Sequence, residues 1–430
     1  MAGRREFFKG AALGAASLVV TGAAMETEAA PEPPRPGVLL PTEAQAQAEA
    51  GAVPPRVEAI QQPASDFMVD VLRKLELDYA AVNPGSAFAG LHESILSYAG
   101  NRKPELLTCL HEEAAVAMAH GYAKAAGKPM LVCVHGTVGL LHGSMALFQA
   151  WADRVPVVLI VGMQREPTGV VNLPHSAQDL GVIVRDFVKF DDQTTTLQRF
   201  VESAMRGYQL AMTPPRGPVM LVVPTELQEE EIAGRDRPRI PELARVTAPQ
   251  GEINALREVA RLLVNAETPI VLPRKVARSQ QGWDSMIELG ELLQCPVDPG
   301  GYGSWQNFPT WHPLWGNGGP QYQADVTLGL EMNDMSNLAR AARASGRKTI
   351  SISSEHLFQH SNIHDYGRYA DVDLAIGGDA EASLPLLIEE ARKLITPEKR
   401  RALAARGTRV AAAHKEAHAR FIENARYGWE

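Results

Sequence analysis

The sequence predicts an α/β fold built from two doubly wound, mainly parallel-sheet domains. Three observations predict it. Continuous apolar runs of strand length, Leu106–Leu110, Met130–Val134 and Val157–Val161, alternate with helix-length stretches rich in small residues. Turn signals punctuate that alternation at Asn83-Pro84-Gly85-Ser86, Gly127-Lys128-Pro129 and Asp153-Arg154-Val155-Pro156. A second series of the same kind runs from Pro269–Leu272 to Asp371–Ile376. Strands that are apolar throughout are covered on both faces, and such sheets bind their ligands at the carboxyl ends of the strands.

A chain of 430 residues exceeds one ordinary domain, and about two to three are expected. Hydrophobic residues make up 45% and charged residues 21%, enough apolar material for full cores. A formal net charge of -8, with no basic stripe, argues against a nucleic-acid partner. Cys109, Cys133 and Cys295 sit in or beside apolar runs and read as buried structural thiols. No spacing resembles a zinc site, so no metal ligands are assigned.

In chain order, residues 1–30 open with Arg4-Arg5-Glu6-Phe7-Phe8-Lys9 and a mildly apolar run, Gly10–Ala24, too short for a membrane span. The segment resembles a bacterial twin-arginine export signal, with cleavage after Ala24 or, less well, Ala30. That implies a periplasmic or cell-envelope location. Residues 31–63, rich in Pro, Ala, Glu and Gln, read as a linker with little fixed structure. The first domain spans 64–228. It takes a helix through Phe67–Leu75, a strand Asp78–Val82, the three strands above, a loop at Asn172–Asp179, a strand Phe187–Phe190, a helix Leu197–Met212 and a strand Pro218–Val223. Residues 229–250 read as a linker. The second domain, 251–396, begins with a helix through Ile253–Leu263. Strands follow at Pro269–Leu272, Cys295–Val297, Val326–Leu330, Thr349–Ser353 and Asp371–Ile376, with helices at Trp283–Leu293 and Ala380–Leu394. Gly300–Gln323 reads as a loop at its rim, and 397–430 as a charged helical tail.

Four groups of residues carry a family resemblance: His111-Glu112-Glu113-Ala114-Ala115, Ala119-His120-Gly121-Tyr122-Ala123, the glycines around His135, and Ala152-Asp153-Arg154-Val155-Pro156-Val157. Together they resemble the pyrimidine-binding domain of thiamine-diphosphate-dependent enzymes of the acetolactate synthase, benzoylformate decarboxylase and pyruvate oxidase group. Residues 251–396 are similar to the central domain of that group. The family pattern places a glutamate nine residues ahead of Gly-Tyr-Ala, which is Glu112 and not Glu113.

The resemblance implies that Glu112 is catalytic and binds thiamine diphosphate. Its carboxyl group would hydrogen-bond the far ring nitrogen of the aminopyrimidine and drive the tautomer that deprotonates the thiazolium carbon. Burial raises such a pKa and a helix first turn lowers it, and sequence does not give the sum. His135 lines up with an active-site histidine that orients or protonates a substrate carbonyl. Pro84, Gly85, Gly136 and Gly139 let backbone approach the cofactor, and Ser86 is a candidate substrate contact. His111, His120, His142 and His175 read as structural or supporting residues, because no pair has ligand spacing with an acidic partner.

Gly377-Gly378-Asp379-Ala380 looks like the start of the family's diphosphate and magnesium motif, but no Asn-Asn follows it. The third domain of the family therefore has no counterpart here. Either the chain is a truncated product or a separate chain holds the diphosphate through Mg2+. FAD is not expected, since residues 252–395 lack a glycine-rich phosphate loop after a strand. The expected function is decarboxylation or carboligation of a 2-oxo acid, acetolactate-synthase-like, in a homodimer, a higher oligomer or a complex with a partner chain. The alternative is a non-catalytic subunit that keeps the fold for dimerisation or regulation.

Overall fold

The computed structural model describes residues 42–44, 61–164, 177–232, 237–300, 305–316, 323–357 and 369–428. The export signal expected at 1–30 and most of the linker at 31–63 lie outside them, as does His175. No helix among the described residues is long and apolar enough to cross a membrane. Ile60–Glu430 forms one compact unit, and it contains two parallel sheets.

The strands of the first sheet are β1 (Tyr79–Val82), β2 (Glu105–Thr108), β3 (Leu131–Val134), β4 (Val158–Met163), β5 (Phe190–Gln193) and β6 (Val219–Pro224). Those of the second are β7 (Ile270–Pro273), β8 (Val326–Leu330), β9 (Lys348–Ser353) and β10 (Leu374–Gly377). The helices are α1 (Ala64–Lys74), α2 (Ala89–Glu93), α3 (Glu112–Ala126), α4 (Thr137–Ala152), α5 (Leu197–Met212), α6 (Thr225–Glu229), α7 (Ile253–Asn265), α8 (Gln280–Leu293), α9 (Ser336–Arg343), α10 (Ala380–Leu394) and α11 (Pro397–Tyr427).

The first sheet has the order β2-β1-β3-β4-β6-β5, with every neighbouring pair parallel. Its two faces carry separate cores. Phe67, Met68 and Leu72 pack with Phe200 and Leu221 on one side. Ala115, Val116, Leu140 and Leu147 pack with Val132, Leu159 and Val161 on the other. The chain leaves β1 on one side to form β2 and returns on the other as β3. That reversal opens a crevice beyond the ends of β1 and β3, where ligands of such sheets bind.

Two strand expectations need correction. The edge strand is Phe190–Gln193 and not Phe187–Phe190. Arg185–Phe187 is a 3-10 turn, held by Arg185, which donates to both Asp179 and Asp191. The edge strand itself is polar, and charge on an edge is tolerated because it deters further pairing. Among the described residues, Cys295–Val297 makes only single-residue bridges, Val297 to Val271 and to Trp315.

The second sheet has the order β10-β9-β8-β7, again parallel. A buried polar cluster ties it to the first. Arg154, just after α4, pairs with Glu331 beyond β8 and with Glu355. Glu331 also accepts from Ser354 N at 3.1 Å, Ser354 Oγ at 2.9 Å and Ala380 N at 2.9 Å. Arg154 and Glu331 both adopt left-handed backbone conformations, with φ 57° and 50°, which costs a non-glycine residue about 1–2 kcal/mol each. Trp305, expected in a rim loop, reaches the first domain instead. Its Nε1 donates to Asp153 O at 3.0 Å, and Lys124 Nζ sits 5.0 Å from the ring centroid.

Arg154→Ala leaves Glu331 buried without its cation. It should lower unfolding free energy by about 3–5 kcal/mol, read by urea titration. Lys275 stands in the same cluster. Burial, and then Arg154, push its pKa down to about 7. The unfolded chain, with lysine near about 10.4, binds more protons between these values, so this group makes stability rise with pH through that window. Lys275→Met should flatten the pH 7–9 slope of the melting temperature relative to wild type. An unchanged slope would show that Lys275 does not titrate there.

Candidate active site

Three strand ends meet at the crevice. Asn83 follows β1, Glu112 follows β2 through a short turn, and His135 follows β3. Glu112 is the first residue of α3, and the preceding His111 is its N-cap, accepting from Glu113 N. At the other end Gly127 takes φ 74°, the left-handed C-cap that favours glycine. The cap therefore fixes where the helix begins, and with it the direction of the Glu112 side chain.

Glu112 is only 5% exposed. Burial alone would raise its pKa, but its own backbone N–H, the Asn83 side chain and His142 together outweigh that effect. The carboxyl group is held below the usual carboxylate range. The sequence left two opposing effects, and here ionisation wins. His142 Nδ1 lies 3.3 Å from Glu112 Oε2.

His135 is half-buried. Its Nε2 is 3.3 Å from Ser86 Oγ, which also accepts from Gln164 Nε2 at 3.1 Å. Two glycines lie flat against these groups. A Cβ on Gly85 would come 2.7 Å from His135 Cδ2. A Cβ on Gly139 would come 3.1 Å from both Glu112 Oε1 and His135 Cβ. Gly136 is buried as the N-cap of α4, and Pro84 is exposed on the rim. The fold thus gathers Glu112, His135, Ser86, Gly85 and Gly139 at one place.

Sequence reasoning missed the roles of Asn83, Gln164 and His142. Asn83 and Gln164 end apolar strands, which was their available signal. His142 is three residues beyond Gly139 on α4, one helical turn away on the same face. It also stacks on His111, with centroids 4.8 Å apart and planes at 22°. Sequence spacing gave no histidine pair with an acidic partner, but the fold brings one together: one ligand-type atom from each of His111, Glu112 and His142 falls within 4.8 Å of the others. Residues 111 and 142 are far apart in sequence, and only the packing of α3 on α4 joins them. His120 lies elsewhere, 2.9 Å from Asp153 Oδ2.

A buried ionised carboxylate beside an imidazole, a hydroxyl and an amide can exchange a proton with a bound heterocycle and hold a polar substrate next to it. His142→Ala removes one of the groups that favour the ionised form. It should raise the Glu112 pKa towards the ordinary carboxylate value, read by 13C NMR titration of the side-chain carboxyl; no upward shift would contradict this electrostatic account.

Comparison with known proteins bears on this geometry. Residues 63–179 match the family model described as thiamine pyrophosphate enzyme, N-terminal TPP binding domain. Benzoylformate decarboxylase of Pseudomonas aeruginosa is 26% identical over 227 residues, covering 53% of this chain and 43% of that protein. Glyoxylate carboligase of Escherichia coli O157:H7 is 25% identical over 348 residues, covering 77% and 56%. The chain thus spans about half the length of these curated relatives. The crystal structure of benzoylformate decarboxylase from Polynucleobacter necessarius superposes with a TM-score of 0.60 at 21% identity, covering 78% of this chain and 61% of that one, which shows the shared fold. Residues 63–179, with Glu112 at their strand-end crevice, thus match the N-terminal TPP binding domain of thiamine pyrophosphate enzymes.

Proposed function

We propose that this chain supplies the pyrimidine-binding half of a thiamine-diphosphate-dependent enzyme that decarboxylates or carboligates a 2-oxo acid, in the manner of acetolactate synthase. The observation that carries the reading is the buried Glu112 carboxyl group at the mouth of a parallel sheet, 3.3 Å from His142 and with side-chain-free Gly139 beside it. The residues present fit the cofactor. Gly85 and Gly139 keep backbone, without side chains, against His135 and Glu112, where a Cβ would crowd them.

Bound there, thiamine diphosphate supplies a carbon nucleophile and an electron sink for the 2-oxo acid. Glu112 would hold the aminopyrimidine ring nitrogen and move a proton at that atom. Pro84, Gly85, Gly136 and Gly139 would line the ring. His135, positioned by Ser86 and through it Gln164, would orient the substrate carbonyl or deliver a proton to it. The diphosphate and its Mg2+ need oxygen ligands. These ligands are assigned to a diphosphate-binding domain that works together with residues 63–179. Leu110, Leu141 and Met145, 99%, 52% and 56% exposed, place apolar surface beside Glu112 where such a partner or a second copy would pack. The Arg4-Arg5 segment supports export of the folded assembly.

The second reading is a non-catalytic subunit that keeps the fold for dimerisation or regulation. One experiment separates the two. The native assembly, purified through this chain, is given thiamine diphosphate, Mg2+ and benzoylformate, pyruvate or glyoxylate, and CO2 release is followed. Wild type should turn over at least one substrate, and Glu112→Gln should lower that rate by about 10²–10⁴-fold at unchanged circular dichroism. Wild-type rates in Glu112→Gln would end the catalytic assignment.

A further inference from the structure

We propose that His111, Glu112 and His142 form a binding site for a divalent transition metal of the Zn2+ type, and that its occupancy ties up the Glu112 carboxylate. Two imidazoles and one carboxylate are the ligand set zinc takes in three-ligand sites that keep an open position. One ligand-type atom of each residue already lies within 4.8 Å of the others. Zinc bonds of about 2.0–2.2 Å require a somewhat tighter cluster. The two exposed imidazoles supply the freedom for that, while Glu112 is buried and fixed. His142 Nδ1 is 3.3 Å from Glu112 Oε2, and the two rings lie face to face.

Binding has a structural consequence that can be read directly. His111 Nδ1 accepts from Glu113 N–H at 3.2 Å, which caps α3. A metal on Nδ1 displaces that N–H. A metal on Nε2 moves the ring proton to Nδ1, where it opposes the N–H. Either mode releases the Glu113 amide. Hard Mg2+ prefers oxygen ligands and should leave this site empty, so a transition metal would act on it while Mg2+ serves the diphosphate. The metal site itself rests on geometry alone; its inhibitory effect rests on the function proposed above.

The test uses the full chain without thiamine diphosphate. Calorimetry should show one Zn2+ per chain and no response to Mg2+, and Co2+ should give a tetrahedral absorption band. Zn2+ should speed hydrogen exchange at the Glu113 amide. His142→Ala should weaken Zn2+ binding by about 100-fold or more. His111→Asn should do the same while keeping an N-cap oxygen, and circular dichroism checks both variants. Equal Zn2+ affinity in wild type, His111→Asn and His142→Ala would overturn the site, as would no binding at millimolar Zn2+. In the active assembly, Zn2+ should inhibit wild type but spare whatever turnover His142→Ala retains. If Zn2+ binds as described while Glu112→Gln keeps full activity, the catalytic reading fails and the metal site stands.

Discussion

Moving a carboxylate out of water costs several kcal/mol unless polar groups replace the lost hydration. Glu112 meets that requirement with its own backbone N–H at the start of a helix, an amide from the end of the neighbouring strand, and an imidazole from the next helix. The helix dipole adds to them. Much of the first domain follows from satisfying this one group. The helix begins just after β2, where the carboxylate takes the N–H of its own residue. Gly139 carries no side chain because Glu112 and His135 stand on either side of it. Gly143 lets α4 approach α3 closely; a Cβ there would come 3.3 Å from Val116.

Glu331 offers a contrast within the same chain. It too is a buried carboxylate beyond a strand end, 1% exposed. Its neighbours are the backbone N–H groups of Ser354 and Ala380, two hydroxyls and the Arg154 guanidinium. It serves as a structural anion, joining the first sheet to the second at the cost of two left-handed residues. Glu112 has a lighter set of partners and opens on a crevice. The same chemistry, carboxylate against helix N-terminus, makes a joint in one place and a candidate reaction centre in the other.

Much of this was legible in the sequence. Continuous apolar runs located nearly all the strands, because a strand covered on both faces has no polar side to show. Helix bounds at Leu197–Met212 and Ala380–Leu394 came out to the residue. Glu112 was legible through its spacing to Gly121. Less local features were not. Arg154 and Glu331 are 177 residues apart, and no periodicity joins them. His142 approaches Glu112 across 30 residues because two helices of small residues pack closely. The edge strand was misplaced because the apolar Phe187–Phe190 run is partly spent on a turn, while Asp191 and Asp192 enter the strand.

The central claim is that Glu112 faces a pyrimidine ring and shares a proton with it. The most direct measurement is 15N NMR of thiamine diphosphate labelled at that ring nitrogen and bound in the active assembly. The account predicts a shift characteristic of a strongly hydrogen-bonded or protonated nitrogen in wild type, lost in Glu112→Ala with the cofactor still bound. The same shift in both proteins would contradict it.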